Sequence, residues 1–387
     1  MAKKVNYSKN GQDYFRVTAS VGRDINGKLI RKEFYGKNKK DAEEKRDEYI
    51  NNIKNGLNLN FDKVYFGDLM HTWLFEVTKV KVKPSSFERY ESIFRNYVQG
   101  SILYNIKINN IKQLEIQRYY NDLYKNGKSS NTIKFLNKLL KSFFSYAVEE
   151  GYIMKNPCNS KLIIPGFENN IKKEVEIFNE DEINVLKKAL QGHRLKCLIL
   201  LALGTGLRQG ELLALTWDDI DFNNREIKVE KTIKRVKIFN TDGNSEGHKI
   251  LIQSPKSQTS NRIVPIPSDL IKIIKSHKLR QDEEKLKAGD SYKNNNLIFA
   301  TATGNPISAK NLFMSYKNLL IKAKIEHKKF HALRHTYATK LFEVNVPLKT
   351  VQTLLGHSDI SITADIYTHV MPKEKITAVE KLNSLFK

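Results

Sequence analysis

Apolar positions along this chain change their period, and each change marks an element. Tyr14–Val21 and Leu29–Tyr35 are short runs rich in β-branched and aromatic residues, the pattern of strands. Asp24-Ile25-Asn26-Gly27 separates them, and Asn-Gly accepts the positive φ of a tight hairpin. Asn38 offers a cap for a helix running to about Asn55, with Asp41, Glu43 and Glu44 near its start, where the helix dipole favours acid. A ββα unit over residues 1–56 is expected. After a linker at 57–65 the apolar spacing becomes helical: Phe66, Leu69, Trp73 and Val77, then Tyr90, Ile93, Phe94 and Tyr97 behind Ser85 or Ser86 as a cap. Helices are expected at Lys112–Asn126 and Ser130–Glu150, the latter with Ile133, Leu136, Leu140, Phe143, Phe144 and Ala147 on one face. Gly151 and Asn156-Pro157 end this four-helix unit, placed at 62–157.

A second linker, 158–176, carries Pro165-Gly166 and Lys172-Lys173, and a third domain is placed at 175–387. Asn179 with Glu182 has capping-box spacing. Leu195–Gly204 reads as a buried helix, Arg208 opens the next, and Trp217 and Ile220 are expected to pack it down. Glu226–Ile238 and Lys249–Pro267 alternate as strands of one small antiparallel sheet, with Asn240–His248 a polar turn and Lys256 at a loop tip. Helices follow near Ser268–Lys287 and Ala309–Lys324. Phe330–Tyr367 then packs two helices around the turns Asn345-Val346-Pro347 and Gly356-His357 and ends on Tyr367. Ile376, Val379, Leu382 and Leu385 form an amphipathic stripe on the tail.

Charge narrows the partners. A formal net charge of +24 over 387 residues favours a polyanion, because displaced counterions dominate nucleic-acid affinity. The two cysteines, Cys158 and Cys197, indicate neither a disulfide framework nor a zinc site, and a reducing cytosol is the expected compartment. The apolar run at Leu198–Leu203 is too short to span a bilayer.

Residue chemistry narrows them further. His331, Arg334 and His335 stand at i, i+3 and i+4, on one helix face. Guanidinium groups match phosphate oxygens, histidine moves protons near neutrality, and a tyrosine hydroxyl can be activated as a nucleophile. Together they suit attack on a phosphodiester. His331 and His335 have zinc-pair spacing, but the Glu of H-E-x-x-H is absent.

The set His331-x-x-Arg334, Leu354-Leu355-Gly356-His357 and Tyr367-Thr368-His369 resembles the C-terminal signature of the tyrosine recombinase (phage integrase) family. Gly204-Thr205-Gly206-Leu207-Arg208 resembles that family's first-arginine box, and Ser254-Pro255-Lys256-Ser257 its β-turn lysine. The resemblance implies a multidomain, mainly α fold with small β-sheets: a ββ(β)α arm-binding domain, a four-helix core-binding (SAM-like) domain and a mixed α+β catalytic domain. It implies Arg208, Lys256, His331, Arg334, His357 and the nucleophile Tyr367 as catalytic residues, a 3′-phosphotyrosyl intermediate, and no metal, ATP or other cofactor. It implies double-stranded DNA with core and arm sites, a homotetramer on synapsed DNA, an excisionase and a host DNA-bending protein as partners. A cytoplasmic location in a bacterial host follows, nucleoid-associated when DNA is bound. Arg16, Arg23, Lys28, Arg31 and Lys32 on or near the hairpin are the candidate arm-site contacts. The leading expectation is the integrase of a mobile element. Competing readings are a chromosome-dimer resolvase, a type IB topoisomerase and a DNA-binding protein without strand transfer.

Overall fold

The computed structural model describes residues 6–9, 12–23, 29–54, 64–166, 175–253 and 261–370. The hairpin turn at Asp24–Gly27, Lys28, Lys256 and the tail stripe from Ile376 lie outside the described residues. Backbone contacts divide the chain into two units: Met1–Asn170 with Phe239–Glu246, and Ile171–Ile238 with Gly247–Lys387.

The first unit begins with β1 (Tyr7–Lys9), β2 (Gln12–Arg23) and β3 (Leu29–Gly36), an antiparallel sheet in the order β1-β2-β3, followed by helix α1 (Lys39–Lys54). Asn38 caps α1 through its side chain, which accepts from the Asp41 N–H at 2.8 Å. Val17 pairs with Phe34, and Arg16 with Tyr35. Strand alternation therefore turns Phe34, 8 % exposed, toward α1 and Arg16, Glu33 and Tyr35 to the other face.

Further along the same unit, α2 (Phe66–Thr72) runs into a π-helical turn, Trp73–Thr78, and α3 (Lys79–Lys81). The π turn departs from the regular spacing expected there. Trp73, Leu74 and Phe75 are consecutive and all buried, and the wider π turn begins at the first of them. Helix α4 (Pro84–Tyr97) starts on Pro84 behind Lys83 without a serine cap, because proline is already set at helical φ in the first turn. Helices α5 (Gln113–Lys125) and α6 (Ser130–Glu149) complete the bundle, α6 capped by Ser129. Its core holds Phe66, Phe143 and Phe144, and also Phe239, from far along the chain. Phe239 meets Phe75 and Phe87 edge-on, and Lys79 Nζ donates to its carbonyl at 2.6 Å.

The second unit opens with α7 (Glu180–Ala189), whose Asn179–Glu182 capping box is closed in both directions. The apolar α8 (Lys196–Thr205) and short α9 (Gln209–Leu212) follow. Strands β4 (Ile220–Asp221), β5 (Glu226–Val229) and β8 (Arg262–Pro265) form one antiparallel sheet, while β6 (Thr232–Phe239) and β7 (Ser245–Gln253) form a separate ribbon. The single sheet expected across Glu226–Ile238 is thus split at Glu230-Lys231. Burial alternates at Ile227 and Val229, then recurs at every third residue, Ile233, Val236 and Phe239; Ile233 still joins the core of Ile227 and Val229, whereas Phe239 at the far end of β6 joins the helical bundle. Helices α10 (Ser268–Ala288), α11 (Ala309–Lys322), α12 (Ala332–Glu343), α13 (Leu348–Leu355) and α14 (Ile360–Val370) complete the unit. A large core joins Leu198, Leu212, Trp217, Ile227 and Leu333, and a smaller one joins Ala338, Phe342, Val351, Leu355 and Ile366 of α12, α13 and α14.

Candidate active site

The site forms where α8, α9, α12 and α13 end or begin. Gly206 stops α8 at φ +62°, and a Cβ there would lie 2.3 Å from the Tyr337 ring. Only glycine meets both demands. Arg208 follows as the N-cap of α9. Its backbone N–H and its Nη1 both donate to the Glu211 carboxylate, at 2.9 and 2.7 Å. Arg334, one turn into α12, is 2 % exposed. Gly356 ends α13 at φ +64° and hands on to His357.

Three arginines converge on three successive carbonyls at the C-terminal end of α13. Arg262 Nε donates to Leu354 O at 2.8 Å, Arg334 Nη2 to Leu355 O at 2.6 Å, and Arg208 Nη2 to Gly356 O at 3.0 Å. These carbonyls lack partners inside the helix and carry the negative end of its dipole, so cations belong there. Arg334 Nη1 reaches back to Gly206 O at 2.7 Å, tying the two arginine-bearing segments together. Arg262 pairs with Glu211 at 2.9 Å, both side chains almost fully buried. Burial alone would raise the Glu211 carboxyl, but the Arg262 hydrogen bond and charge, with the Arg208 N–H, hold it below the usual range.

The electrostatics are those of a crowded cationic site. Burial, then the charge of Arg208, pushes Arg334 down to about 9, and its Nε is buried without a hydrogen-bond partner. His357 is lowered to about 3 by burial and by Arg334, Arg208 and His331. His331, the N-cap of α12, keeps an exposed face, yet the surrounding protein, His335, Arg334 and Arg208 lower it to about 4. Both imidazoles are neutral at pH 7, and His331 keeps a ring nitrogen able to accept a proton. A phosphate would relieve the mutual repulsion of these groups and supply acceptors for the N–H groups they still hold.

Four of the six expected catalytic positions thus meet: Arg208, His331, Arg334 and His357. Lys256 lies outside the described residues. Tyr367 is on α14, 37 % exposed, its ring edge-on to Phe342 at 5.1 Å. Phe342 is eight residues from Arg334 along α12, a rise of about 12 Å. On the N-terminal sheet, Arg16 sits on the open face, paired to Glu33 at 3.1 Å and over the Tyr7 ring. Arg31, opposite Ser20, shares that face. Lys32 falls on the helix side instead, its Nζ 2.8 Å from Tyr49 Oη. Arg23 ends β2. Sequence reasoning did not single out Arg262 or Thr363, whose Oγ1 lies 2.9 Å from His357 Nδ1. Neither residue stands in a chemical motif, and each gains its role only from what the fold sets opposite it.

The helical unit and the mixed α+β unit that follows it match the domains of a family of DNA strand-exchange enzymes. The chain belongs to the phage integrase family, the tyrosine recombinases: residues 176–374 match the phage integrase family profile and residues 65–124 that of the phage integrase N-terminal SAM-like domain. It is a site-specific tyrosine recombinase. A tyrosine recombinase XerC-like protein of Caldanaerobacter subterraneus subsp. tengcongensis is 59 % identical over 100 % of both chains. The ICEBs1 integrase of Bacillus subtilis is 25 % identical over 97 % of this chain and 98 % of its own. Among solved structures, the Tn1549 transposon integrase with a circular intermediate DNA superposes with a TM-score of 0.64 at 23 % identity, covering 81 % of this chain and 99 % of that one. A lambda integrase tetramer bound to a Holliday junction gives 0.54 at 19 % identity, covering 93 % and 96 %. At these identities the two structures share the fold.

Proposed function

We propose that the chain is the integrase of a mobile element, cutting and rejoining DNA at core sites through a 3′-phosphotyrosyl intermediate. The observation that carries the chemistry is the pair Arg208 and Arg334, fixed on adjoining segments by the carbonyls of Gly206, Leu355 and Gly356. The pair holds the non-bridging oxygens of the scissile phosphate and offsets charge in the pentavalent transition state. Tyr367 Oη attacks phosphorus and gives its proton to neutral His331. The bond from phosphorus to the 5′ oxygen breaks, and Lys256 protonates that oxygen. Bond energy is kept in the tyrosyl ester, so the step consumes no nucleotide. Arg16 and Arg31, with Arg23 and Lys28 near them in sequence, are the arm-site candidates, the Arg16–Glu33 pair exchangeable for a DNA phosphate.

Integration is favoured over chromosome-dimer resolution by the N-terminal β-sheet unit and by alignment with the ICEBs1 integrase over 97 % of the chain. A staphylococcal tyrosine recombinase XerD aligns over only 67 % of it. Dimer resolution stays the second reading because the XerC-like relative aligns from end to end. A homotetramer on synapsed DNA, with an excisionase and a host bending protein, completes the proposal; the lambda integrase tetramer on a Holliday junction supports the first of these.

The test is covalent capture. Nicked duplexes from the DNA flanking the chain's own gene, incubated without metal or ATP, should give an SDS-resistant adduct with the wild type. Tyr367→Phe should lose it by at least about a thousandfold. An adduct that persists in Tyr367→Phe would remove Tyr367 as nucleophile. Deletion of the gene separates the biological readings: loss of element excision supports integration, and accumulation of chromosome dimers supports resolution.

A further inference from the structure

We propose that Thr363 is a positioning residue, its hydroxyl holding His357 as the Nε2–H tautomer so that a phosphate entering the site meets a donor. The identity of the anion rests on the recombinase reading; the tautomer does not.

Thr363 is fully buried on α14, and its Oγ1 stands 2.9 Å from His357 Nδ1. Among the described residues that ring nitrogen is the only partner of the hydroxyl. Two arrangements fit the distance. Either the hydroxyl donates to Nδ1, or a protonated Nδ1 donates to the hydroxyl oxygen. The second would leave a buried O–H without an acceptor, and buried donors are left unpaired far less readily than spare lone pairs. The first satisfies the hydroxyl and fixes the imidazole proton on Nε2.

The remaining surroundings agree. His357 is held at its backbone by Gln352, whose carbonyl accepts the His357 N–H at 3.2 Å and whose Nε2 donates to the His357 carbonyl at 3.0 Å. Ring orientation is the freedom left, and Thr363 removes it. The groups acting on the imidazole are Arg334, Arg208, His331 and His335. The two guanidiniums direct their N–H groups to Gly206, Leu355, Gly356 and Glu211, not to the ring. A neutral imidazole with its proton on Nε2 complements a ligand that only accepts hydrogen bonds.

The placement of Thr363 gives this bond a second meaning. It lies one helical turn before Tyr367, on the helix that Ile366, 3 % exposed, anchors beside Phe342, Val351 and Leu355. His357 is therefore set as a donor only while the nucleophile's helix is seated. Phosphate recognition and presentation of the tyrosine share one hydrogen bond.

The experiment uses the full chain with 15N-labelled histidine, His357→Gln assigning the resonance. Neutral wild type should show a pyridine-like Nδ1 and a pyrrole-like Nε2. Thr363→Val, which keeps the shape and loses the hydroxyl, should show exchange between both tautomers and bind inorganic phosphate several-fold more weakly. Thr363→Ser, which keeps the hydroxyl and loses the methyl, should restore both. An Nδ1–H tautomer in the wild type, or an unchanged tautomer in Thr363→Val, overturns the proposal. If Thr363→Val does not fold, Thr363→Ser decides: retention of the Nε2–H form supports it, and loss overturns it. Adduct formation is measured alongside. Failure of the wild type to form any adduct would bring down the recombinase reading, while the tautomer still decides this inference.

Discussion

His357 is 9 % exposed and sits among cations, and that setting makes the protein sensitive to acid. Its folded-state value is pushed down to about 3, against about 6.5 in an unfolded chain. Above pH 6.5 both states hold it neutral and nothing is lost. Below that, the unfolded chain binds a proton that the folded one refuses, so stability falls as pH drops from 6.5 toward 3. The loss is on the order of 2 kcal/mol at pH 5. Urea midpoints at pH 7 and pH 5 should differ less in His357→Gln than in wild type; an equal difference would show that this histidine does not carry the effect. Removal of a guanidinium acts on chemistry instead. Arg208→Ala should slow adduct formation about 100- to 1,000-fold with DNA affinity nearly kept, read by single-turnover cleavage beside gel-shift titration. At this scale the arginines and histidines were legible, because their residue types carry the chemistry wherever they fold. Arg262 and Thr363 were not: an arginine opening a strand and a threonine in a helix are ordinary until the fold places Glu211 and His357 across from them.

Helices were read well from spacing, and the exceptions have local causes. Apolar periods located α4 to α6 and α13 because each of these helices buries one face against a single core. The π turn at Trp73–Thr78 escaped, since apolar spacing at Phe66, Leu69, Trp73 and Val77 fits a regular α-helix and carries no mark of a wider turn. The split between β5 and β6 escaped for a related reason: alternation reports that a strand has a buried face, not which sheet receives it. Turns that set the site are more demanding. Gly206→Ala places a Cβ at positive φ against the Tyr337 ring and within 3.0 Å of Leu355. The substitution should cost at least about 2 kcal/mol and displace Arg208 from Gly356. Thermal unfolding measures the first effect and loss of cleavage the second; a Gly206→Ala protein with wild-type melting would show that this turn tolerates a side chain.

Taken over the whole chain, a net charge of +24 sets the affinity for DNA more than any one contact. If six to ten phosphates are neutralised, binding should weaken by about 10³- to 10⁵-fold between 50 and 200 mM salt. Filter binding over that range measures the slope, and a flat response would mean that the basic residues are not at the DNA. The described residues contain no helix long and apolar enough to cross a membrane. Less foreseeable was that the helical bundle is completed by Phe239, 3 % exposed among Phe75 and Phe87. The expected polar turn Asn240–His248 is shorter in the structure, since β7 already begins at Ser245, and its sequence gave no hint that the residue before it would serve a distant core. Phe239→Ala should destabilise that bundle by about 3 kcal/mol, seen as earlier amide exchange in α2 and α4 than in α12.

The same phenylalanine carries a consequence for biosynthesis. The chain up to Asn170 leaves the ribosome about 70 residues ahead of Phe239, roughly 3 to 14 s at usual elongation rates. Through that interval Phe75 and Phe87 lack the ring that both of them meet in the finished fold. Nascent chains arrested just before residue 239 should therefore recruit trigger-type chaperones and resist proteases poorly. Chains arrested once Glu246 has cleared the exit tunnel should do neither.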